Sequence, residues 1–307
     1  MRNEWMVIIN PHAGSRKAGK DWIIVKEMLM KEKINFVFEF TDSKYHATEL
    51  TLKFIEEGYR KFIAFGGDGT LNEIVNGIFI QKIIPTKEFT LAMLPVGTGN
   101  DWCRMFNIPI DYAGAIKVIK NEKIFIQDVG TVNYYNNGWH KINYFANVTG
   151  IGYDALVNRK TNLQKDKGRG GKLSYFLNIF SSLFGYKVVP VTIDADGVII
   201  KANLFSMNVG ICKYNGGGMM QLPNAVADDG LLDLTIIKKI SKLELFMSLK
   251  RLYDGTLLTH PKVEAVQAKN IVITADDSIY LEADGEFLGN GPFTFNIILK
   301  SLSIVCA

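Results

Sequence analysis

The sequence predicts an α/β domain built on a parallel sheet, followed by a domain of antiparallel strands that reads as a β-sandwich. Three observations predict it. Up to about Lys120, short apolar runs alternate with helical patterns across short loops, the pattern of βαβ units. Beyond that point strands follow one another directly, joined at Asn136-Asn137-Gly138 and around Asp196-Gly197, both strong hairpin signals. Three glycine-bearing loops, after Ile9, Phe65 and Leu94, each follow a strand of the first half. The expected domains are residues 1–124 and residues 125–299.

In the first half, Trp5 to Ile9 reads as a buried strand and is followed by Asn-Pro-His-Ala-Gly-Ser-Arg-Lys-Ala-Gly-Lys, a basic glycine loop that opens a helix. Ile34 to Phe40 is a second strand and Lys44 to Glu57 a helix. Phe62 to Phe65 is an apolar run bounded by glycines, hence a third buried strand. After Thr70, apolar residues at Leu71, Ile74, Val75 and Ile78 mark one face of a helix. Between strand and helix lies Gly66-Gly67-Asp68-Gly69. Backbone N–H groups and the helix dipole can receive phosphate there, and glycines let the backbone approach and supply positive φ where the turn needs it. Phe89 to Leu94 forms the fourth strand, with Pro-Val-Gly-Thr-Gly-Asn-Asp after it. In a parallel sheet, loops after the strands share the carboxyl edge, where ligands bind. The three loops therefore converge on one nucleotide site.

The second half reads as strands at Phe125–Tyr135, Trp139–Val148, Val188–Asp194, Val198–Cys212, Leu231–Ile237, Ile271–Ala275, Ile279–Ala283 and Phe293–Leu299. Leu173 to Phe184 is a helix that is apolar nearly all round, a core helix or the wall of an acyl-chain pocket. Before it, Arg159, Lys160, Lys165, Lys167, Arg169 and Lys172 accompany the single acid Asp166, a basic loop suited to anionic lipid.

With 307 residues, 48% hydrophobic and 21% charged, the chain is long and apolar enough for two packed domains and is not a disordered polymer. A net charge of +4 does not point to nucleic acid as a partner. Cys103, Cys212 and Cys306 are odd in number and widely spaced, which argues against a disulfide framework and fits a reducing compartment. The apolar run near the N-terminus is too short for a signal-peptide core, and no stretch approaches the roughly 18 residues of a membrane span. The expected location is cytoplasmic with transient membrane association, so any lipid is reached from the water side.

The GGDGT segment, together with Gly97-Thr98-Gly99-Asn100-Asp101 and the Asp284-Gly285-Glu286 turn, resembles the diacylglycerol kinase catalytic-domain family of soluble lipid kinases. Sphingosine kinases, NAD kinases and phosphofructokinases share the first signature. The resemblance covers essentially the whole length and implies a Rossmann-like first domain, of the NAD-kinase and phosphofructokinase type, with residues 300–307 returning to it. It implies phosphoryl transfer from ATP to a lipid hydroxyl, diacylglycerol first. Alternatives are a sphingoid base or another lipid alcohol, NAD, and a non-catalytic nucleotide- or lipid-binding module.

The implied ATP set is Asn10, Pro11, Gly14, Lys17, Thr41, Gly66, Gly67, Asp68, Gly69, Thr70, Asn72, Glu73, Gly97, Thr98, Asn100 and Asp101. Ala13 departs from the serine common in the family's first loop. Asp68, a carboxylate among phosphate-cradling amides, is the candidate for organising Mg²⁺. By the resemblance, Asp229 and the carbonyls of Val226 and Leu231 hold a second, structural Mg²⁺, and Lys167 and Arg104 face lipid or phosphate. Three carboxylates qualify as proton acceptor: Glu286, Asp284 and Asp68. Asp284 precedes a glycine and is expected to bond its own backbone as an Asx-turn, so the longer Glu286 is preferred. The expected partners are ATP and a membrane lipid met at the surface, with a homodimer also among the expected states.

Overall fold

The computed structural model describes residues 2–97, 99–166, 177–178, 181–183, 185–275 and 279–307, without the side chains of residues 165 and 166. The chain divides into two compact units, Met1–Val129 with Leu299–Ala307, and Gly130–Ile298.

The first unit alternates strand and helix: β1 (Trp5–Ile9), α1 (Ala13–Lys31), β2 (Phe36–Phe40), α2 (His46–Glu56), β3 (Lys61–Gly66), α3 (Asp68–Ile80), β4 (Thr90–Pro95), α4 (Asp101–Met105) and α5 (Tyr112–Asn121). β1 pairs in parallel with β2 and β3, and β3 in parallel with β4. On the far side of β4, Ser303 and Ile304 of the terminal stretch add a further parallel strand. β1 is buried at every position, whereas the edge strand β2 is partly exposed. That follows from apolar runs such as Met6-Val7-Ile8-Ile9, which only a strand covered on both faces can bury. Phe36, Phe38 and Phe40 share one face of β2 and meet the Trp22 ring of α1 at centroid distances of 6.1, 4.9 and 6.4 Å.

The second unit is antiparallel. It contains β5 (Ile124–Asn136, which begins in the first unit), β6 (Trp139–Phe145), β7 (Val148–Gly152), α6 (Tyr153–Asp166), β8 (Val189–Ala195), β9 (Val198–Gly210) and the short pair β10 (Tyr214–Asn215) and β11 (Met219–Met220). Then come β12 (Leu232–Lys238), α7 (Lys242–Ser248), α8 (Arg251–Asp254), β13 (Val263–Ala268), β14 (Asn270–Ala275), β15 (Tyr280–Ala283) and β16 (Glu286–Val305). Long strands serve two layers. β9 pairs with β8 over its first half and with β7 and β12 over its second. β16 pairs with β15 at its start and with β14 farther on. Phe145, Phe293 and Phe295 are fully buried between the layers. Gly130 is required there, since a Cβ would lie 2.0 Å from the Phe145 ring.

Three hairpins close on two-residue turns with both residues at positive φ: Asn137-Gly138 (51° and 80°), Asp196-Gly197 (49° and 89°) and Asp284-Gly285 (46° and 87°). This left-handed pair matches the twist of the flanking strands, which is why Asn-Gly and Asp-Gly dominate such turns.

Two expectations need correction, two elements were not anticipated and one expected helix lies mostly outside the described residues. Trp139–Val148 is not one strand but two, because Asp284 takes the N–H groups of Ala146, Asn147 and Val148 out of the ladder. The basic segment is not all loop, since Arg159, Lys160 and Lys165 lie on α6. β13 and α7 were not anticipated, although α7 carries a readable capping box, Ser241 with Glu244. The helix expected at Leu173 to Phe184 falls mostly outside the described residues, as do Lys167, Arg169 and Lys172.

Candidate functional site

The carboxyl ends of β1, β3 and β4 finish level with one another. Ile9 pairs with Phe65, and Phe65 with Leu94. Their loops therefore leave the sheet side by side and lock together. The backbone N–H of Asn10 donates to Phe65 O at 3.0 Å, and that of Val96 to Gly66 O at 2.8 Å. The Asn10 amide Nδ2 donates to Thr70 Oγ1 at 3.2 Å, joining the first loop to the second. The Trp102 N–H points at Asp68 Oδ1, 3.4 Å away, joining the second to the third.

Glycine is required here for closeness rather than for handedness, which corrects one expectation. Gly67 has φ −109°, and neither Gly66 nor Gly69 takes a positive φ. A Cβ on Gly66 would meet Thr70 Oγ1 at 2.4 Å, and one on Gly97 would lie 3.1 Å from Gly67 Cα. Gly14 answers to both constraints, with φ +60° and an added Cβ 2.3 Å from Val96 O. Two loops can pass this closely only where side chains are missing.

Charge gathers at the same place. A Cβ on Gly99 would be 3.1 Å from Asp68 Oδ2 and 3.2 Å from Asp101 Oδ2, so both carboxylates border that glycine. Burial, and after it the charges of Asp68 and Asp101, push the Cys103 thiol well above its ordinary pKa. Asn100 sits at φ 52° and gives Nδ2 to Gly97 O at 2.9 Å, while its buried Oδ1 has no hydrogen-bond partner. A buried acceptor left unpaired costs free energy until a donor arrives.

Other expected nucleotide residues have supporting places. Glu73 accepts the Tyr45 and Ala47 N–H groups, both at 3.0 Å, and so caps α2 with negative charge at the helix start. Buried Asn72 receives the Asn76 amide, and buried Thr41 donates its N–H to Ile9 O. Lys17 is exposed, 3.8 Å from Asp21. Pro11 lies against Gly19, and Arg104 is exposed on α4. Thr98 lies outside the described residues.

In the second unit the Asp284-Gly285 turn is held from several sides. The buried Asp284 carboxylate accepts Ala146 N–H at 3.0 Å, Asn147 N–H at 3.1 Å and Val148 N–H at 3.2 Å. These donors are some 137 positions away in the chain, as in the Asn147 bond, so the carboxylate ties the turn to a distant strand. Asn158 and Asn162 of α6 donate to Gly285 O at 2.9 and 3.1 Å. Glu286, the next residue, is half-buried at the start of β16.

Sequence reasoning missed a buried polar group beside this turn. Glu282 accepts Asn215 Nδ2 at 3.1 Å and Gly285 N–H at 3.0 Å, and burial raises its pKa to about 8. Asp154 accepts Asn208 Nδ2 and Gln221 Nε2, each at 3.0 Å, and burial raises it too. A Cβ on Gly150 would be 2.7 Å from Glu282 Oε1 and 2.9 Å from Asp154 Cβ. The usable signal was a lone acid inside an apolar strand, Tyr-Leu-Glu-Ala, where a buried charge needs partners.

Asp229 accepts the Leu231 N–H at 3.0 Å in a tight turn, and Val226 is exposed nearby in the chain. Among the described residues no cluster of three or more His, Cys, Asp or Glu side chains is arranged to hold a metal. The three cysteines are free thiols.

Comparison with known proteins bears on both units. Residues 4–132 match the family described as the diacylglycerol kinase catalytic domain, and residues 147–306 match the YegS C-terminal NAD kinase beta sandwich-like domain. A diacylglycerol kinase of Staphylococcus saprophyticus is 30% identical over 96% of this chain and 92% of its own. One of Staphylococcus epidermidis is 31% identical over 96% of this chain and 89% of its own. A crystal structure of a diacylglycerol kinase from Bacillus anthracis str. Sterne superposes with a TM-score of 0.73 at 24% identity, covering 99% of this chain and 97% of that one. Two further structures from the same organism reach 0.77 at 26% and 27% identity. Yeast NADH kinase complexed with NADH shares the fold, with a TM-score of 0.56 at 10% identity over 99% of this chain and 83% of that one.

Proposed function

Because the chain belongs to the diacylglycerol kinase catalytic-domain family and is a lipid kinase, we propose that it transfers the γ-phosphoryl group of ATP to diacylglycerol, yielding phosphatidic acid. The observation that carries this reading is the interlocking of the three loops at the ends of β1, β3 and β4. In our reading this first unit is a Rossmann-like nucleotide domain. The Gly66-Gly67 backbone and the start of α3 cradle phosphate, while the orphaned Asn100 Oδ1 accepts from a hydroxyl or amino group of the nucleotide.

The residues fit Mg²⁺. Asp68 and Asp101 bring two hard carboxylate oxygens to one glycine, and such ions are held by one or two carboxylates plus phosphate oxygens and water. When bound, the ion neutralises charge developing on the transferred group. Asp68 and Asp101 hold that position and keep the phosphate chain oriented for in-line transfer. Glu286 takes the proton from the lipid hydroxyl as the new O–P bond forms and the bond from the γ-phosphorus to the β-phosphate oxygen breaks, releasing ADP, and Asp284 fixes the turn that carries Glu286. Asp229, with the Val226 and Leu231 carbonyls, holds a structural ion in this reading.

Incubation with labelled ATP and a panel of lipids in mixed micelles tests the assignment. Label is expected in phosphatidic acid when diacylglycerol is present. Faster transfer to a sphingoid base or to NAD would change the substrate, and transfer to none of them would overturn the reading.

A further inference from the structure

Helix α7 uses one side and leaves another open. Leu245 packs onto the buried cluster of Tyr153, Val157, Phe205 and Ile237. Glu244, the helix's single acid, completes the capping box with Ser241 and pairs with Lys262 at 2.7 Å, with His260 Nε2 3.6 Å away. That draws the negative charge into contacts within the protein. The remaining apolar side chains, Leu243, Phe246 and Met247, are spaced i, i+3, i+4 and so share one face, at 69%, 62% and 68% exposure. Tyr253, on the following α8, is also exposed, at 54%. One exposed leucine needs no explanation, but a contiguous apolar patch of this kind marks a contact surface.

The charges around the patch select its occupant. Lys239, Lys242 and Lys250 are exposed in the same stretch of chain. A second copy on a two-fold axis would set these lysines against themselves. An anionic lipid surface would instead receive apolar side chains among its acyl chains and lysines among its headgroups. Among the described residues no helix is long and apolar enough to cross a membrane.

We propose that α7 is a docking element for anionic membranes, with Leu243, Phe246 and Met247 inserting at the interface and Lys239, Lys242 and Lys250 meeting acidic headgroups. This rests on the reading of the chain as a kinase of a membrane lipid. The test is sedimentation of the whole protein with vesicles of phosphatidylcholine alone or mixed with phosphatidylglycerol. The combined variant Leu243→Ser, Phe246→Ser, Met247→Ser should bind the mixed vesicles at least about tenfold more weakly, while phosphorylating a water-dispersed short-chain diacylglycerol at the wild-type rate. Lys239→Gln, Lys242→Gln, Lys250→Gln should abolish the preference for phosphatidylglycerol and flatten the salt dependence. Should the serine variant melt early, Phe246→Trp replaces it, with a blue shift of its added emission expected on mixed vesicles only. Wild-type vesicle binding by the serine variant, or no blue shift, overturns the proposal. So does a dimer of the wild type that the serine variant breaks while vesicle binding persists. Failure of the wild type to phosphorylate any lipid would sink the kinase reading, while the vesicle measurement would still report on α7.

Discussion

Asp284 and Glu286 lie two positions apart in different surroundings, and the proposed function assigns them different roles. Asp284 Oδ2 accepts one backbone N–H and Oδ1 accepts two, all buried. In Asp284→Asn an NH₂ group must face at least one of those donors, and the charge that strengthened all three bonds is gone. The expected loss is about 3 kcal/mol of stability, from hydrogen bonds to a charged group and a donor left unsatisfied. Glu286→Gln should keep the wild-type melting temperature and lower kcat by roughly 10²–10⁴-fold, the usual worth of general-base catalysis. Denaturant titration and steady-state kinetics on the two variants separate the roles. A fully stable but inactive Asp284→Asn, beside an active Glu286→Gln, would reverse them. Asp68→Asn retains the turn's shape and loses the charge that the proposed reading assigns to organising the metal, so on that reading activity should fall by orders of magnitude. A variant keeping more than about a tenth of the rate, a deficit below ~1.4 kcal/mol, would remove Asp68 from the metal site.

At the scale of elements, the loops after β1, β3 and β4 form one device rather than three. Their order depends on glycines that allow contact, and Gly14 is the most constrained of them. Gly14→Ala places a methyl group 2.3 Å from Val96 O at a φ of +60°, so the first loop must move away from the third. A left-handed alanine alone costs about 1–2 kcal/mol, and the displaced loop adds a loss of nucleotide contact. The expected outcome is a rise of at least about tenfold in KM for ATP with lipid KM unchanged, since a tenfold change needs only ~1.4 kcal/mol. Unaltered ATP kinetics in a folded Gly14→Ala would show that the first loop does not touch nucleotide.

For the whole molecule, buried acids set how stability responds to pH. Burial raises Glu282 from 4.5 to about 8 and Asp233 from 3.8 to about 6. The folded chain therefore keeps protons that the unfolded chain releases at lower pH. Their contribution is fully present below about pH 4, begins to fade as Asp233 and then Glu282 would ionise in the unfolded chain, and is lost as pH passes about 6 and about 8 respectively. Melting temperature should fall between about pH 4 and about pH 8, and Glu282→Gln should flatten the part of that decline above about pH 6. A Glu282→Gln profile parallel to the wild type across this range would mean that the buried carboxyl does not titrate there.

The three strand–glycine–helix junctions and the Asn-Gly and Asp-Gly hairpins were legible because each is a local pattern. Apolar periodicity identified β1, β3, β4 and α3, and two adjacent residues sufficed for each hairpin turn. Asp68 was legible for the same reason, standing between glycines at a helix start. Other features left no such mark. Gly97 is a glycine because the loop carrying Gly67 passes close by, 3.1 Å from where its Cβ would lie, and not because of its own φ, and that neighbour is thirty positions away. The break between β6 and β7 is made by Asp284, 136 positions from Val148, and Asp154 meets Gln221 across 67. Sequence by itself determined the alternating elements of the first unit, the glycine loops that connect them and the hairpin turns of the second. Only the tertiary structure decided which buried carboxylates fold beside the Asp284 turn and which face of α7 stays open. Those outcomes depend on contacts between residues far apart in the chain, and distant pairs impose no periodicity on either segment.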